Sequence, residues 1–461
     1  MKKILAILLS LLTLLSCGLL PACSAEKTQP DTPDTETVWE TVSEAYIYAF
    51  PLVLTDATKT LSTNTDGTMA SRAPINQFNH AKKLADASFR TVVTPNVDTV
   101  YSQAWLDISA EPMVFVLPET DRFCNVQLLD AWTNTAAVLD KAGAYAIALP
   151  GWEGELPEGV TRVDVPTATV WSITRIVLDG NADLPNVYAI QEQMQLLPLS
   201  AYAQGGTYTA PAGTYSEESD FVPVNKVLSM TPAEFFATAN ALMQIDPPAE
   251  ADAEMLEKLA AINVGPGMTF DASILGADAA ENWKQMLGQL RATLSADGVN
   301  YAQKLGQWIY YGSPIGDFGT EYAYRAMVAL VGLGANTVDV AIYPKTTVDE
   351  TGAALTGEKA YTLHFETLPP TLDGGFWSVT AYGEDDFLID NPLDRYCIND
   401  RSDFQLNEDG TLDLFLSKDA PADTSNWLPV SDGEFHLFMR IYLPDMTALD
   451  TWQPPVIRVQ E

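Results

Sequence analysis

Two carboxylates and one arginine occupy strand-like positions where their side chains could perform acid–base chemistry. Asp98 and Asp130 each follow the alternation of neighbouring apolar residues, so both are predicted to point toward a core or a cleft. Arg175 shares a strand face with apolar residues and needs a polar partner if that face is buried. A carboxylate can act as a general acid or base, and a guanidinium can hold an anion. We therefore interpret Asp98, Asp130 and Arg175 as the candidate catalytic residues.

A binding site for a small polar ligand is predicted by neutral and aromatic side chains. These lie in the same sequence segments and in a second strand-like segment near the C-terminus. Amide, phenol and guanidinium groups orient such ligands, and aromatic rings pack against them. The substrate-binding candidates are Asn96, Tyr101, Asn134, Trp377, Arg440 and Tyr442. For Trp377, core packing is the more ordinary role.

A structural interpretation stands beside this hypothesis. Buried charges are usually paired, so the more ordinary expectation is an ion pair of Arg175 with Asp130 or Asp98. Arg440 and Tyr442 lie on one polar and aromatic stripe of a predicted C-terminal strand. This stripe would equally fit an exposed sheet face. A site between the two β-rich parts of the chain would bring Arg175, Asp130 and Arg440 together, and that convergence separates the two interpretations.

The elements that must position these residues begin with a helix and a β-rich region. Apolar spacing predicts a helix over residues 38–52, which Pro51 should kink or end. From residue 73 to about 222, short alternating runs such as 99–107 and 170–178 are separated by turn-forming residues. This pattern is typical of antiparallel β structure.

A helical region and a second β region follow. A capping box at Thr231–Glu234 and amphipathic spacing predict several helices between residues 226 and about 310, with a further helix near 320–333. Alternation returns at residue 337 and includes 411–416 and 436–443. It predicts a second β-sandwich or jelly-roll.

Composition and charge exclude several classes of protein. The 461 residues include 25 Lys and Arg against 61 Asp and Glu, a formal charge of −36. Nucleic-acid binding needs clustered Lys and Arg, so nucleic acid is excluded as a partner. Adhesion to an anionic membrane through a basic face is excluded for the same reason. With 47% hydrophobic residues, a chain of this length is expected to form two or three cores.

The first residues predict export. Two lysines precede an apolar run, the pattern of a signal peptide over residues 1–22. The string that ends at Cys23 resembles a bacterial lipobox, and Cys17 is a second candidate for lipidation. A polar tether over 23–36 would follow. We expect an extracytoplasmic lipoprotein of the cell envelope, periplasmic or on the cell surface, held to the membrane by its lipid anchor only. Two alternative interpretations of this N-terminal segment are left open, an ordinary secretory signal and a single membrane helix that is retained.

No motif points to a cofactor or a metal. Patterns such as H-E-x-x-H, the P-loop, C-x-x-C and G-x-S-x-G are absent from the sequence. Its three histidines lie in different segments, which disfavours a three-histidine zinc site. We predict no cofactor and no metal. Cys124 and Cys397 are interpreted as free, largely buried thiols, with a disulfide between them left open.

A series of strings resembles a known bacterial family. In the N-terminal half these are Pro95-Asn96-Val97-Asp98-Thr99-Val100-Tyr101-Ser102, Asp130-Ala131-Trp132-Thr133-Asn134, Arg175 and Gln191. They are similar to domain of unknown function 1254. Later strings are similar to its C-terminal companion, domain of unknown function 1214, and include Tyr324-Arg325-Ala326, Gly375-Phe376-Trp377-Ser378, Arg395-Tyr396, Asn426-Trp427-Leu428-Pro429 and Arg440-Ile441-Tyr442-Leu443-Pro444. Cys397 departs from the serine that the family pattern leads us to expect.

The resemblance implies an N-terminal immunoglobulin-like β-sandwich, a helical domain and a C-terminal jelly-roll β-sandwich, and it implies no established activity. Combined with the residue patterns, it predicts a multidomain α+β protein. The predicted boundaries after the signal and tether are 37–225 for the first β domain with its helix, 226–335 for the helical domain and 336–461 for the jelly-roll.

Three classes of function remain open from the sequence. The first is an exported enzyme that acts on a small polar or anionic molecule by Asp, Arg and Tyr acid–base chemistry. The second is a tethered protein that binds a saccharide or another envelope component. The third is a structural envelope protein. The expected partners are a small polar ligand or saccharide, and self-association into a homo-oligomer is left open.

Overall fold

The computed structural model describes residues 35–90, 92–206 and 208–460 of the chain. The predicted signal peptide, the predicted lipidation site at Cys23 and most of the predicted tether lie outside the described residues. Within the described residues the chain is a mixed α+β, multidomain protein in which most neighbouring strands are antiparallel.

A long helix precedes the first β domain. Helix α1 spans Thr35–Thr63 and contains Pro51. The expectation that Pro51 ends the helix is therefore wrong. Residues on both sides of the proline, including Phe50 and Leu52, are buried in one hydrophobic cluster with the later helices. This packing holds the helix together although Pro51 cannot donate a backbone hydrogen bond.

The N-terminal β domain consists of two sheets packed on a shared core. One sheet has the order β1-β2-β8-β4-β5 and the other β7-β6-β3-β9. Buried residues from both, such as Val126 and Phe115, form the core. The strands are β1 (Asn79–His80), β2 (Thr99–Asp107), β3 (Met113–Leu117), β4 (Cys124–Leu129), β5 (Thr135–Leu139), β6 (Gly143–Ala148), β7 (Val160–Asp164), β8 (Thr169–Val177) and β9 (Gln195–Pro198), with helices α2 (Leu184–Gln193) and α3 (Leu199–Ala203) around β9.

The helical region follows the predicted pattern closely. Its helices are α4 (Pro223–Leu228), α5 (Pro232–Ile245), α6 (Ala253–Ala260), α7 (Ala279–Gly298) and α8 (Tyr322–Gly332). The capping box predicted at Thr231 and Glu234 is present at the start of α5. One difference is a hairpin of β10 (Ala302–Leu305) and β11 (Trp308–Tyr311), where the sequence predicted helix. The hairpin extends the C-terminal sheet, because Ile309 pairs with Lys345.

The C-terminal β domain also packs two sheets around one core. Its elements are β12 (Ala341–Ile342), β13 (Lys345–Thr346), β14 (Tyr361–Phe365), β15 (Thr371–Gly383), β16 (Cys397–Asn399), β17 (Leu412–Ser417), β18 (Trp427–Pro429), β19 (Phe435–Pro444), α9 (Met446–Leu449) and β20 (Val456–Val459). The larger sheet has the order β10-β11-β13-β19-β15-β16, with β12 also paired to β19, and the smaller has the order β18-β17-β14-β20.

Strand alternation gives the larger C-terminal sheet two different faces. Leu437, Met439 and Ile441 of β19 point into the domain core. Arg440 and Tyr442 therefore lie on the opposite face, and both are buried. That face is covered by the N-terminal β domain, so the interpretation of this stripe as an exposed sheet surface is wrong.

In the described part of the chain, no helix is both long enough and apolar enough to cross a membrane.

Candidate functional site

The segment of residues 94–98, which leads into β2, lies across the polar face of β15 and β19. Arg440 donates to the carbonyl of Thr94 at 3.0 Å, and the Tyr382 hydroxyl donates to the carbonyl of Pro95 at 2.7 Å. Asn96 donates from its amide nitrogen to the hydroxyl oxygen of Tyr442 at 2.7 Å. Each of these bonds joins the N-terminal to the C-terminal β domain. We call this contact the domain interface.

Asp98 is the charged centre of the domain interface and is 0% exposed. Its carboxylate accepts hydrogen bonds from Ser378 Oγ at 2.5 Å and from Asn399 Nδ2 at 3.3 Å. It also forms an ion pair with Arg401, at 3.1 Å from Nη2. Arg401 follows the short strand β16 and belongs to no periodic pattern, so the sequence did not predict its role. Its closeness to the family string at Arg395 was the one available signal.

Arg175 has neutral partners, so the predicted ion pair with Asp98 or Asp130 is wrong. Nη1 donates to the amide oxygen of Gln127 at 2.9 Å, and Nη2 donates to the carbonyl of Gly334 at 3.3 Å. The guanidinium also lies over the ring of Tyr101, 5.7 Å from its centroid. Gln127 is on the neighbouring strand β4 and reaches the same face of the sheet, which is why no carboxylate is needed there.

Arg175 and Arg440 do approach one another through Tyr442. Burial raises the pKa of the Tyr442 hydroxyl, and the positive charges of Arg175 and Arg440 oppose that rise. Tyr101 lies in the same group, since Asn96 donates to its hydroxyl oxygen as well, at 3.2 Å. The structure thus brings together Asn96, Tyr101, Arg175, Arg440 and Tyr442, five of the nine predicted catalytic and substrate-binding residues, and places Asp98 beside Arg401 at the same interface.

Asp130 and Asn134 lie elsewhere, in the turn after β4 that faces the helical region. The Asp130 carboxylate accepts from the backbone nitrogens of Trp132 and Asn134 at 2.8 and 2.9 Å, and from Asn134 Nδ2 at 3.0 Å. Asn134 in turn accepts from the backbone of Phe318. The expected convergence of Asp130 with Arg175 and Arg440 is therefore wrong, because Asp130 closes a local turn.

Trp377 also lies away from the interface. It points to the other side of β15 and is 3% exposed in the core of the C-terminal domain, where it contacts Phe365 and Phe404. His436 does border the polar face, but burial lowers its pKa to about 4, so the ring is neutral at pH 7. Cys124 and Cys397 are free thiols, as interpreted from the sequence, and burial raises the pKa of each to about 12.

A cavity of about 290 Å³ opens where the ion pair of Asp98 and Arg401 reaches the molecular surface. Both β domains contribute to its wall, and we call it the interface cavity. It is lined by Leu178, Asp179, Gly180, Arg395, Ile398, Asn399, Arg401, Ser402, Asp403 and Ser425. Most of these side chains are polar or charged, and none is aromatic.

The charged groups around the interface cavity differ in how many partners they have. Arg401 donates to Asp98, to Asp400 at 2.6 Å and to the carbonyl of Leu178 at 3.3 Å. Arg395 donates to the carbonyls of Thr424 and Trp427. Among the described residues, the carboxylates of Asp179 and Asp403 accept no hydrogen bond and form no ion pair. Two free carboxylates are therefore available to a ligand, whereas both arginines already have protein acceptors.

A second charged cluster, which was not predicted from the sequence, joins the helical region to the N-terminal β domain. Arg325 of α8 is 2% exposed and lies 5.1–5.5 Å from the ring centroids of Tyr48, Trp132 and Tyr322. The buried Asp252 accepts from the hydroxyls of both tyrosines at 2.9 Å. Arg325 stands in the family string Tyr324-Arg325-Ala326, which was the available signal. We call this group the arginine cluster.

Over residues 35–90, 92–206 and 208–460, no three His, Cys, Asp or Glu side chains are grouped so as to hold a metal ion.

Comparisons with known proteins agree with the sequence resemblance. The model of the family described as "Protein of unknown function (DUF1254)" matches residues 75–198, and that of "Protein of unknown function (DUF1214)" matches residues 340–446. The crystal structure of the VPA0106 protein from Vibrio parahaemolyticus is similar, with 23% identity, a TM-score of 0.68 and coverage of 92% of this chain and 100% of that one. This likeness shows a shared fold.

Two further comparisons with known proteins show weaker similarity or none. A structure of an uncharacterized protein from Burkholderia cenocepacia aligns over 93% of this chain and 94% of its own, with 12% identity and a TM-score of 0.41. No curated protein matches the sequence.

The arginine cluster predicts a coupled loss of stability. Arg325 interacts electrostatically with the buried carboxylates of Asp252 and Asp130. Replacing Arg325 with methionine leaves both without this cation, and we expect a cost of about 3–5 kcal/mol in the free energy of unfolding. In Arg325→Met combined with Asp252→Asn, the cost should be smaller than the sum of the single costs. Urea unfolding measures this, with the exposed Arg291→Met as control. Strictly additive costs would contradict an electrostatic coupling between Arg325 and Asp252.

Asp130 predicts a pH dependence of stability. Burial raises its folded pKa to about 6, whereas an unfolded Asp titrates near 3.9. The protonated form is thus favoured by folding, so this contribution is complete below about pH 4 and is lost as the pH rises to about 6. Relative to Asp130→Asn, the wild type should lose about 2–3 kcal/mol over this interval. Denaturation series at pH 4 to 7 test this, and Asp140→Asn, at an exposed site, should show no such difference.

Proposed function

We propose that this chain, which belongs to the family that pairs the DUF1254 and DUF1214 regions, binds a small polyhydroxylated or aminated molecule in the interface cavity. A monosaccharide or an amino sugar has the required chemistry. The observation that carries the proposal is a polar cavity of about 290 Å³, built by both β domains at the point where their buried ion pair meets solvent. This volume is close to the lower end of the usual range for small-molecule sites, about 300–1,000 Å³.

The free groups of the cavity determine the charge of the ligand. Asp179 and Asp403 can accept hydrogen bonds from hydroxyl or ammonium groups, and acceptors of this kind suit sugars and amines. An anion would meet these two carboxylates, and the charge of Arg401 is already offset by Asp98 and Asp400, with a third donor bound to the carbonyl of Leu178. We therefore propose a neutral or cationic ligand and set aside the anionic ligand that the sequence had suggested.

The bonding of the predicted catalytic residues favours binding over acid–base catalysis. Asp98 and Asp130 each accept three hydrogen bonds from protein groups, and Arg175 donates to two. Three of the roughly four lone-pair sites of each carboxylate are thus occupied by protein donors, and both carboxylates are buried away from solvent. The catalytic role of these three residues stays a prediction, and we propose that they maintain the geometry of the protein.

Export belongs to the same proposal. A saccharide or amine ligand would be met in the cell envelope, where the lipobox-like string predicts the protein to be tethered through Cys23. The immunoglobulin-like and jelly-roll assignments of the two β domains are likewise proposed, on the family resemblance and on the paired sheets of each domain.

Ligand charge gives the sharpest test of binding. Isothermal titration calorimetry of the purified protein with glucosamine, glucose and gluconate should show affinity falling in that order. In Asp179→Asn combined with Asp403→Asn, glucosamine should bind about 10- to 100-fold more weakly, because charge-assisted hydrogen bonds are lost. Asp373→Asn, at an exposed site outside the cavity, is the matched control.

Two results would contradict the proposal. One is gluconate binding more tightly than glucosamine, which would make the arginines the recognition groups. The other is glucosamine binding that is unaffected by the double substitution, which would place its site elsewhere.

Lipidation is tested on the full chain expressed in a bacterial host. Cys23→Ser should abolish the mass of the attached lipid and release the protein from the membrane fraction, whereas Cys17→Ser should leave both unchanged. Mass spectrometry of the mature N-terminus and fractionation measure the two effects. Retention of lipid in Cys23→Ser and its loss in Cys17→Ser would reassign the site.

A further inference from the structure

A second cavity lies beside the β10–β11 hairpin. It has a volume of about 380 Å³, and its walls come from the hairpin, from β12 and from the segment that begins at α9. We call it the hairpin cavity. It shares no residue with the interface cavity.

The floor of the hairpin cavity is apolar. Ile342, Leu449 and Trp452 are buried there, and Leu305 is partly buried. The indole nitrogen of Trp452 donates to the carbonyl of Thr367 at 3.1 Å, so the ring has no donor left for a ligand. This floor therefore offers carbon surface and suits an apolar group.

The rim of the hairpin cavity is polar and carries both signs of charge. It includes the ammonium of Lys304, the carboxylate of Asp450 and the amides of Gln303 and Gln453. Within the part of the chain that the structure describes, these four side chains form no hydrogen bond and no ion pair. Asp450 also lies close enough to Tyr310 to raise the pKa of that phenol further, after the larger effect of burial.

We propose that the hairpin cavity binds a small zwitterion with an apolar side chain, of the class of the apolar and aromatic α-amino acids. The ammonium of the ligand faces Asp450, its carboxylate faces Lys304, and its side chain packs against Leu449 and Trp452. Both charges of the rim are then paired with charges of the ligand, and the floor loses contact with water. A ligand with a single charge would leave one rim group without a partner.

The test compares four probes by calorimetry and by the fluorescence of the protein. These are L-phenylalanine, phenethylamine, which lacks the carboxylate, 3-phenylpropionate, which lacks the ammonium, and L-alanine, which lacks the ring. We expect L-phenylalanine to bind at least 5-fold more tightly than each of the other three. Lys304→Met should weaken L-phenylalanine and leave phenethylamine unchanged, whereas Asp450→Asn should weaken L-phenylalanine and leave 3-phenylpropionate unchanged.

Matched variants distinguish this site from the interface cavity. Lys359→Met and Asp373→Asn, both at exposed positions outside either cavity, should leave L-phenylalanine binding intact, and so should Asp403→Asn. The proposal is overturned if L-phenylalanine does not bind at 10 mM, if the singly charged probes bind as tightly, or if Asp403→Asn removes the binding. None of these outcomes depends on glucosamine binding, so the two proposals fail separately.

Discussion

The arrangement of the β domains depends on one constraint, the need to satisfy a polar sheet face that is buried. Strands β15 and β19 place Ser378, Thr380 and Arg440 on the side opposite the core, and all three are buried. Buried polar groups without partners are costly, so this face cannot simply be covered by apolar side chains. The segment of residues 94–98 supplies what the face needs, with the carbonyls of Thr94 and Pro95 and the carboxylate of Asp98. The domain interface exists because these groups match.

The energetic role of the ion pair in this interface is specificity more than stability. Removing Asp98 and Arg401 from water costs much of what their attraction returns, so such pairs add little net stability. A mismatched arrangement of the two β domains would leave Asp98 buried without Arg401, and that is strongly unfavourable. The pair therefore selects one relative placement, and the interface cavity is a consequence of that placement.

Sequence periodicity predicted the strands well and their partners poorly. The limits of β2 agree with the predicted run 99–107, and those of β8 differ by one residue from 170–178. The stripe through Arg440 and Tyr442 was recognised as a possible ligand-facing surface. Alternation determines which residues share a face, but it does not determine what lies opposite that face. For this reason Arg175 was assigned a carboxylate partner, when Gln127 reaches it from the neighbouring strand. Arg401 had no periodic signal at all.

Two further differences have the same origin in tertiary packing. Helix α1 continues past Pro51 because its surroundings bury it, and the hairpin of β10 and β11 forms because a sheet edge is available at Lys345. Neither cause is local in sequence.

The overall charge of the chain extends the argument about the ligand. With a formal charge of −36, the field of the protein repels anions at long range and attracts cations, an effect that ionic strength reduces. The interface cavity also favours cations over anions at short range, since its arginines donate to the protein and two of its carboxylates are free. The hairpin cavity differs, because Lys304 provides a local positive charge beside Asp450. A zwitterion has no net charge to be repelled, so it can approach an acidic protein and still use both groups at its rim.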